Sequence, residues 1–453
     1  MKPVAERVAD VMTALDLGDV PEAARRAARR DLMDAAGLCV AARRTDYMAA
    51  VVSGWDGGGG CTAIGHPHGL DSAGAAVVNG TAVHGEDFDD TLEGAPIRVG
   101  AMVIPAVLAA CERYGRSGAD ALLGIACGLE MICRLNHVAP GAIHRAGFHP
   151  VGVLGPFGAA VGAGVALGLD SVQLTRALGV AGSMSSGISE FLTAGAWTKR
   201  LHPGWAAQSG LRAALLGRAG FVGPPTVLDG PRSIFNGFAP GAQPRFEPLL
   251  EDLGERWLME DIAFKPYACG TMIHPYIDCM VDMARDGIDA QDVVDVECET
   301  GEGLVARLWE PLAAKRQPPS GYAAKFSMPF GMAVGFLDGD AGLAQFTDER
   351  AREPGVLELA AKIRYVIDPD NPYPDEYTGH LRVRLRDGRV VEYRRPHLRG
   401  GKHEPLEDVE LVAKFRGNVR HGGWSEDLGE ELLRFTLGVQ DEDDLSALAR
   451  FRR

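Results

Sequence analysis

Apolar residues recur every three to four positions through the first 260 residues, the spacing that lines them along one side of an α-helix. VAERVADVMTAL (4–15) and PEAARRAARRDLMDAAGLCVAA (21–42) carry the pattern, the second behind Asp19 and Pro21, which suit a helix start. Ala- and Gly-rich segments with the same period predict further helices over 72–84, 101–115, 118–136, 151–168, 171–182 and 205–219, separated by short polar or Gly/Pro breaks. Side chains this small let helices approach closely. WDGGGG (55–60) reads as a loop. Beyond about residue 260 the period changes. VVDVECET (293–300) alternates as a strand does, and HLRVRLRDGRVVEYRR (380–395) sets two strands around Asp387-Gly388, a hairpin pair. Helical spacing returns in 406–419 and 425–438. The chain is therefore expected to be mainly α with an α+β second domain. Residues 1–260, completed by 400–453, form a large helical domain, residues 261–399 a smaller α/β domain, and a cleft is expected between them.

Composition narrows the choice of partners. At 453 residues with 46% hydrophobic content the chain has apolar surface for more than one core. A formal charge of −15 argues against nucleic acid or an anionic membrane, since phosphate binding needs clustered Lys and Arg. The eight cysteines show no CxxC pair, and residues 1–30 hold no apolar run of the secretory kind, so reduced thiols in a cytoplasmic protein are expected. Only VGVLGPFGAAVGAGVALGL (151–169) approaches membrane-spanning length; its glycines and Pro156 suit packing between helices better, and no membrane role is expected.

Four segments break this texture with groups that could do chemistry. HGEDFDDT (84–91) sets one imidazole and four carboxylates in an oily surrounding. Exposed acids at a helix end are the plainer reading, with Asp87 and Asp90 three apart on one side. Carboxylates taken out of water, however, must find partners or bind a proton. AGFHPVG (146–152) puts His149 before a Pro at the head of the glycine-rich helix, where free amide donors favour carboxylates. GAWTKRLHPGWAAQSG (195–210) carries Lys199, Arg200 and His202 ahead of a helix expected near Pro203, with two Trp suggesting partial burial. MEDIAFKPYACGTMIHP (259–275) places Lys265 between Phe264 and Pro266, where its stem could simply lie on the rings or its ammonium could hold an anion. Magnesium held by the acids would call for phosphate-binding equipment, and no Walker loop is present; zinc spacings are absent too, so neither metal nor cofactor is expected.

These segments, together with GFVGPPTVLDG (220–230) and AAKFSMPFGMAVGFLDG (323–339), resemble the MmgE/PrpD family over nearly the whole chain. The resemblance implies an all-helical domain with a smaller α/β lid, usually in a homodimer. Family activities include methylcitrate dehydration, cis-aconitate decarboxylation and iminodisuccinate epimerisation. It also implies a pocket at Asp87, Thr91, His149, Lys199 and Lys265. Within it His149 is expected to move the proton, the lysines to hold carboxylates and stabilise negative charge, and Asp87 and Thr91 to orient the substrate. Arg98, His202 and His274 are expected as further substrate contacts. Where the decarboxylase has a His, a second His and a Tyr, this chain has Ile97, Gly270 and Phe330. The expectation is a cofactor-independent lyase that dehydrates a hydroxy-polycarboxylate, its partner a small di- or tricarboxylate. The alternatives are an epimerase of a dicarboxylic amino or imino acid and an anion-binding homologue without turnover.

Overall fold

In the computed structural model the structure describes residues 2–94 and 97–453. The chain divides into two compact units. One comprises residues 1–85, 89–262 and 412–453, the other 86–88 and 263–411. The fold is mainly helical with an α/β unit, as the pattern predicts.

The larger unit is built on helices α1 (Val4–Met12), α2 (Glu22–Ala42), α3 (Ser72–Gly85), α4 (Gly100–Tyr114), α5 (Gly118–Asn136), α6 (Pro150–Ala166), α7 (Ser171–Met184) and α8 (Thr198–Arg218). Every residue of α6 is buried, with α4, α5, α7 and α8 packed around it. This explains a helix without a polar face: it is a core element enclosed by other helices. No helix among the described residues is long and apolar enough to cross a membrane.

Glycine permits the close approach. A Cβ on Gly128 of α5 would lie 2.8 Å from the Gly158 carbonyl of α6, and one on Gly80 of α3 would lie 2.7 Å from Gly204 Cα of α8. Helix α8 begins at Thr198, five residues before the expected start at Pro203, which lies inside it. Lys199, Arg200 and His202 therefore sit on helical backbone and not in a preceding loop. Pro203 is the sixth residue of this helix, where it gives up the one amide hydrogen bond that would run back to the Lys199 carbonyl while its fixed φ still suits helical backbone. The two Trp are also more exposed than expected, Trp197 at 51% and Trp205 at 43%, whereas Arg200 is buried and stacked 4.3 Å over the Tyr47 ring. Within WDGGGG, residues Gly58–Cys61 form a short strand whose ends bridge Leu70, since glycine lets the two backbones meet.

The smaller unit holds a four-stranded sheet of β1 (Val293–Thr300), β2 (Ile363–Ile367), β3 (Gly379–Leu385) and β4 (Val390–Arg395) in the order β2-β1-β3-β4. Strands β1 and β2 are parallel and the other pairs antiparallel. The β3–β4 hairpin turns at Asp387-Gly388, with Gly388 at φ +90°. Val296 and Cys298 of β1 and Leu381, Val383 and Leu385 of β3 are buried, and helix α9 (His274–Arg285) packs on β3 and β4 beside α10 (Met328–Asp338). Charged residues alternate with them, joined in ladders such as Asp295 with Arg384 and Glu299 with Arg382. Helices α11 (Asp408–His421) and α12 (Glu426–Leu437) follow, and residues from Val412 onward complete the larger unit.

The interhelical contact at Gly80 has a measurable cost when it is crowded. Gly80→Ala is expected to lower unfolding free energy by about 1–3 kcal/mol, the usual penalty for overpacking. In urea titrations Gly18→Ala, where an added Cβ meets nothing within 4 Å, should leave the midpoint nearly unchanged.

Candidate active site

The octapeptide HGEDFDDT is not a helix end with a row of acids on one side. Helix α3 stops at Gly85, Asp87 takes the left-handed conformation at φ +55°, and Thr91-Leu92 form a two-residue strand. Asp tolerates that region better than most residues. Side chains along the segment consequently point different ways, and the chain membership divides with them: 84–85 and 89–91 belong to the larger unit, 86–88 to the smaller.

In the larger unit, His84 Nδ1 lies 2.7 Å from Asp89 Oδ2, while Asp89 Oδ1 lies 3.4 Å from Arg98 Nε. Arg98 also donates to Thr91 Oγ1 at 2.6 Å. Asp90 turns elsewhere and accepts from the Val99 and Gly100 amides at 2.8 and 3.1 Å, capping the start of α4. Burial, followed by the neighbouring Asp89 charge, raises Asp90 to about 7. Burial and then Asp90 also raise Asp31 well above the carboxylate range.

His149 is the residue before the first turn of α6, and its backbone amide donates to the Gly187 carbonyl at 2.8 Å. Its Nδ1 lies 3.0 Å from His202 Nδ1, so one ring donates and the other accepts. Phe191 covers both, with ring centroids 5.5 Å from His149 and 5.7 Å from His202. His149 is half-buried, and its pKa is pushed well below the usual histidine value, first by loss of hydration and then by positive charge at His84, His202, Lys199 and Arg98. His202 is pushed down to about 4 by burial, then by charge at His84 and Lys199. Thus His149, Lys199, His202, Arg98 and Thr91 come together in this unit around His84 and Asp89. The last two carried no role in the sequence reading; the signal available was their place in the same charged octapeptide.

In the smaller unit, Lys265 is 1% exposed and donates to the Asp87 backbone carbonyl (2.5 Å), Asp87 Oδ1 (2.9 Å) and the Cys269 carbonyl (2.9 Å). Three acceptors match its three protons. Lys325 repeats the arrangement on Glu86, reaching its carbonyl at 2.6 Å and Oε2 at 2.8 Å, and this partner was not foreseen. His274 is fully buried beside Tyr267, with Nε2 3.4 Å from the Cys269 carbonyl. Burial raises the Cys269 thiol to about 12 despite Lys265, which makes it a poor nucleophile.

Ile97 is buried, and its carbonyl accepts from the Leu92 amide at 3.2 Å. Ala95 and Pro96 of the same stretch lie outside the described residues. Gly270 and Phe330 are also buried, Phe330 near the start of α10. Among the described residues no group of three or more His, Cys, Asp or Glu is placed to hold a metal ion.

Residues 6–247 match the MmgE/PrpD N-terminal domain and residues 267–431 the MmgE/PrpD C-terminal domain. The chain belongs to the MmgE/PrpD family. It is 29% identical to the cis-aconitate decarboxylases of Mus musculus and Homo sapiens, over 99% of this chain and 93% and 94% of theirs. It is 27% identical to that of Aspergillus terreus, over 89% of this chain and 85% of the relative.

Two measurements follow from this geometry. Lys265→Met leaves Asp87 buried without its cation and is expected to cost about 3–5 kcal/mol in urea unfolding; Lys265→Met with Asp87→Asn should recover part of that. His202 has a folded pKa near 4 against 6.5 unfolded, so its contribution is intact above pH 6.5 and is lost as pH falls toward 4. Between pH 7 and 4.5, wild type should lose more stability than His202→Gln, by on the order of 1–2 kcal/mol.

Proposed function

We propose that this chain is a cofactor-independent lyase that removes water from a hydroxy-polycarboxylate after taking a proton from carbon beside a carboxylate. The observation that carries the reading is the His149–His202 pair, held 3.0 Å apart and short of protons, with Lys199 and Arg98 as the nearby cations. A protein of net charge −15 repels anions as a whole, so an anionic substrate needs fixed cations such as these.

The chemistry follows from charge. Deprotonating carbon next to a carboxylate adds negative charge to an anion, which is very unfavourable unless fixed cations and hydrogen-bond donors receive it. Lys199 and Arg98 hold substrate carboxylates on this reading, and Thr91 fixes Arg98. His149 is the base. With Nδ1–H donated to His202, its Nε2 keeps a free lone pair, and a depressed pKa keeps it unprotonated at neutral pH. In the smaller unit, Lys265 and Asp87 fix the octapeptide backbone two residues before Asp89, and His274, enclosed beside Tyr267, is given no part in proton transfer.

Decarboxylation is the second reading, because the named relatives are cis-aconitate decarboxylases. It requires a proton delivered to a carbanion, and a histidine poor in protons is better prepared to accept one. Epimerisation needs the same first step and a donor on the opposite face.

NMR in D₂O with a panel of di- and tricarboxylates separates these outcomes. Water loss to an alkene with α-deuterium in recovered substrate is expected. Carbon dioxide release would replace dehydration with decarboxylation, and exchange without alkene would replace it with epimerisation. His149→Asn should lower turnover about 10²–10⁴-fold, the usual weight of general-base catalysis. In wild type kcat/KM should hold through neutral pH and fall only on acidification well below 6.5, as His149 gains a proton.

A further inference from the structure

A third imidazole beside the His149–His202 pair has no part in the reaction as drawn above. His84 lies in the last turn of α3 and is 2% exposed, with its Nδ1 on a carboxylate, Asp89, that is itself wholly buried. Its ring centroid is 6.0 Å from that of His149, the planes tilted by 37°. The two rings therefore stand side by side on partners of opposite character. Asp89 brings a negative charge to His84, whereas His149 leans on another imidazole and brings no negative charge to itself. A carboxylate partner stabilises the imidazolium; a neutral ring sets the tautomer without doing so. Acid and base can be told apart wherever neighbouring titratable groups are driven in opposite directions.

We propose that His84 is the acid of this reaction, giving its proton to the departing hydroxyl while His149 takes the proton from carbon. This rests on the lyase reading and assigns its second half. The step balances within the two rings. The Cα–H electron pair becomes the new C=C bond as His149 Nε2 gains the proton. The Cβ–O bond breaks with its pair, and the oxygen takes the Nε2 proton of the His84 imidazolium to leave as water. His84 ends neutral and His149 charged, and exchange with solvent restores both. The charged groups facing the ring pair are Asp89 from the turn after α3, Arg98 from the loop before α4, and Lys199 and His202 from α8. Of these named groups Asp89 is the negative one, and it touches His84.

Two measurements decide the assignment. In D₂O, His84→Asn is expected to cut alkene formation roughly 10²–10⁴-fold while α-deuterium exchange stays near the wild-type rate, and the pH profile should lose its alkaline limb. His149→Asn should lose exchange and elimination together. Retained elimination in His84→Asn, or equal loss of both reactions, overturns the proposal. Independently of turnover, ¹⁵N spectra of histidine-labelled wild type at pH 7 should show a doubly protonated ring that is missing in His84→Asn. Asp89→Asn, which keeps the shape and removes the charge, should turn that ring neutral. If wild type acts on no polycarboxylate, the lyase reading falls and this one with it; if wild type is active but the His84 ring is neutral at pH 7, this proposal alone is overturned.

Discussion

Charge enclosed in a protein must meet an opposite charge, a set of hydrogen-bond donors or a proton, because water is no longer there to solvate it. The four carboxylates of residues 86–90 meet that demand in four ways. Glu86 takes Lys325, Asp87 takes Lys265, Asp89 lies between His84 and Arg98, and Asp90 takes two amides of the backbone. No regular helix can aim consecutive side chains in so many directions, so the backbone leaves helical geometry at Gly85 and passes through a left-handed residue at Asp87. The acids are thus the reason for the local conformation as well as its occupants.

The helical scaffold places the remaining groups at its ends. His84 lies in the last turn of α3, His149 precedes the first turn of α6, and Lys199 and His202 occupy the first turns of α8. Helix interiors in this unit are lined with Ala, Gly and Val and packed tightly against neighbours, which leaves little room for polar side chains along their length. The groups of this site sit at the termini, where the backbone itself offers unpaired polar groups and a dipole. Close packing behind those termini holds the rings in fixed relation, as proton transfer over hydrogen-bond distance requires.

Much of this was legible in the sequence. The change from a 3.6-residue period to alternation, the Asp387-Gly388 turn and the small-residue helices are local signals, and local signals survive in one dimension. The segments carrying His149 and Lys199 stood out because charge interrupts an apolar run. Pairings were not legible. That Lys265 would engage Asp87, Lys325 Glu86 and His202 His149 depends on residues 178, 239 and 53 positions apart meeting in space. The start of α8 was misjudged because Pro203 reads as a boundary, although a helix can continue through a proline at the loss of one backbone hydrogen bond. Asp89 was not separated from its acidic neighbours because four carboxylates within five residues look alike until their directions are known.

All eight cysteines are buried free thiols, and burial is the largest cause that pushes them toward the protonated form, Cys61 to about 11. Only the thiolate reacts readily with oxidants and alkylating agents. The packing that lets the helices touch through glycine therefore also protects the chain from redox damage. Its sulfurs become reactive only when a helix departs from its neighbours, which makes each one a silent witness to local opening.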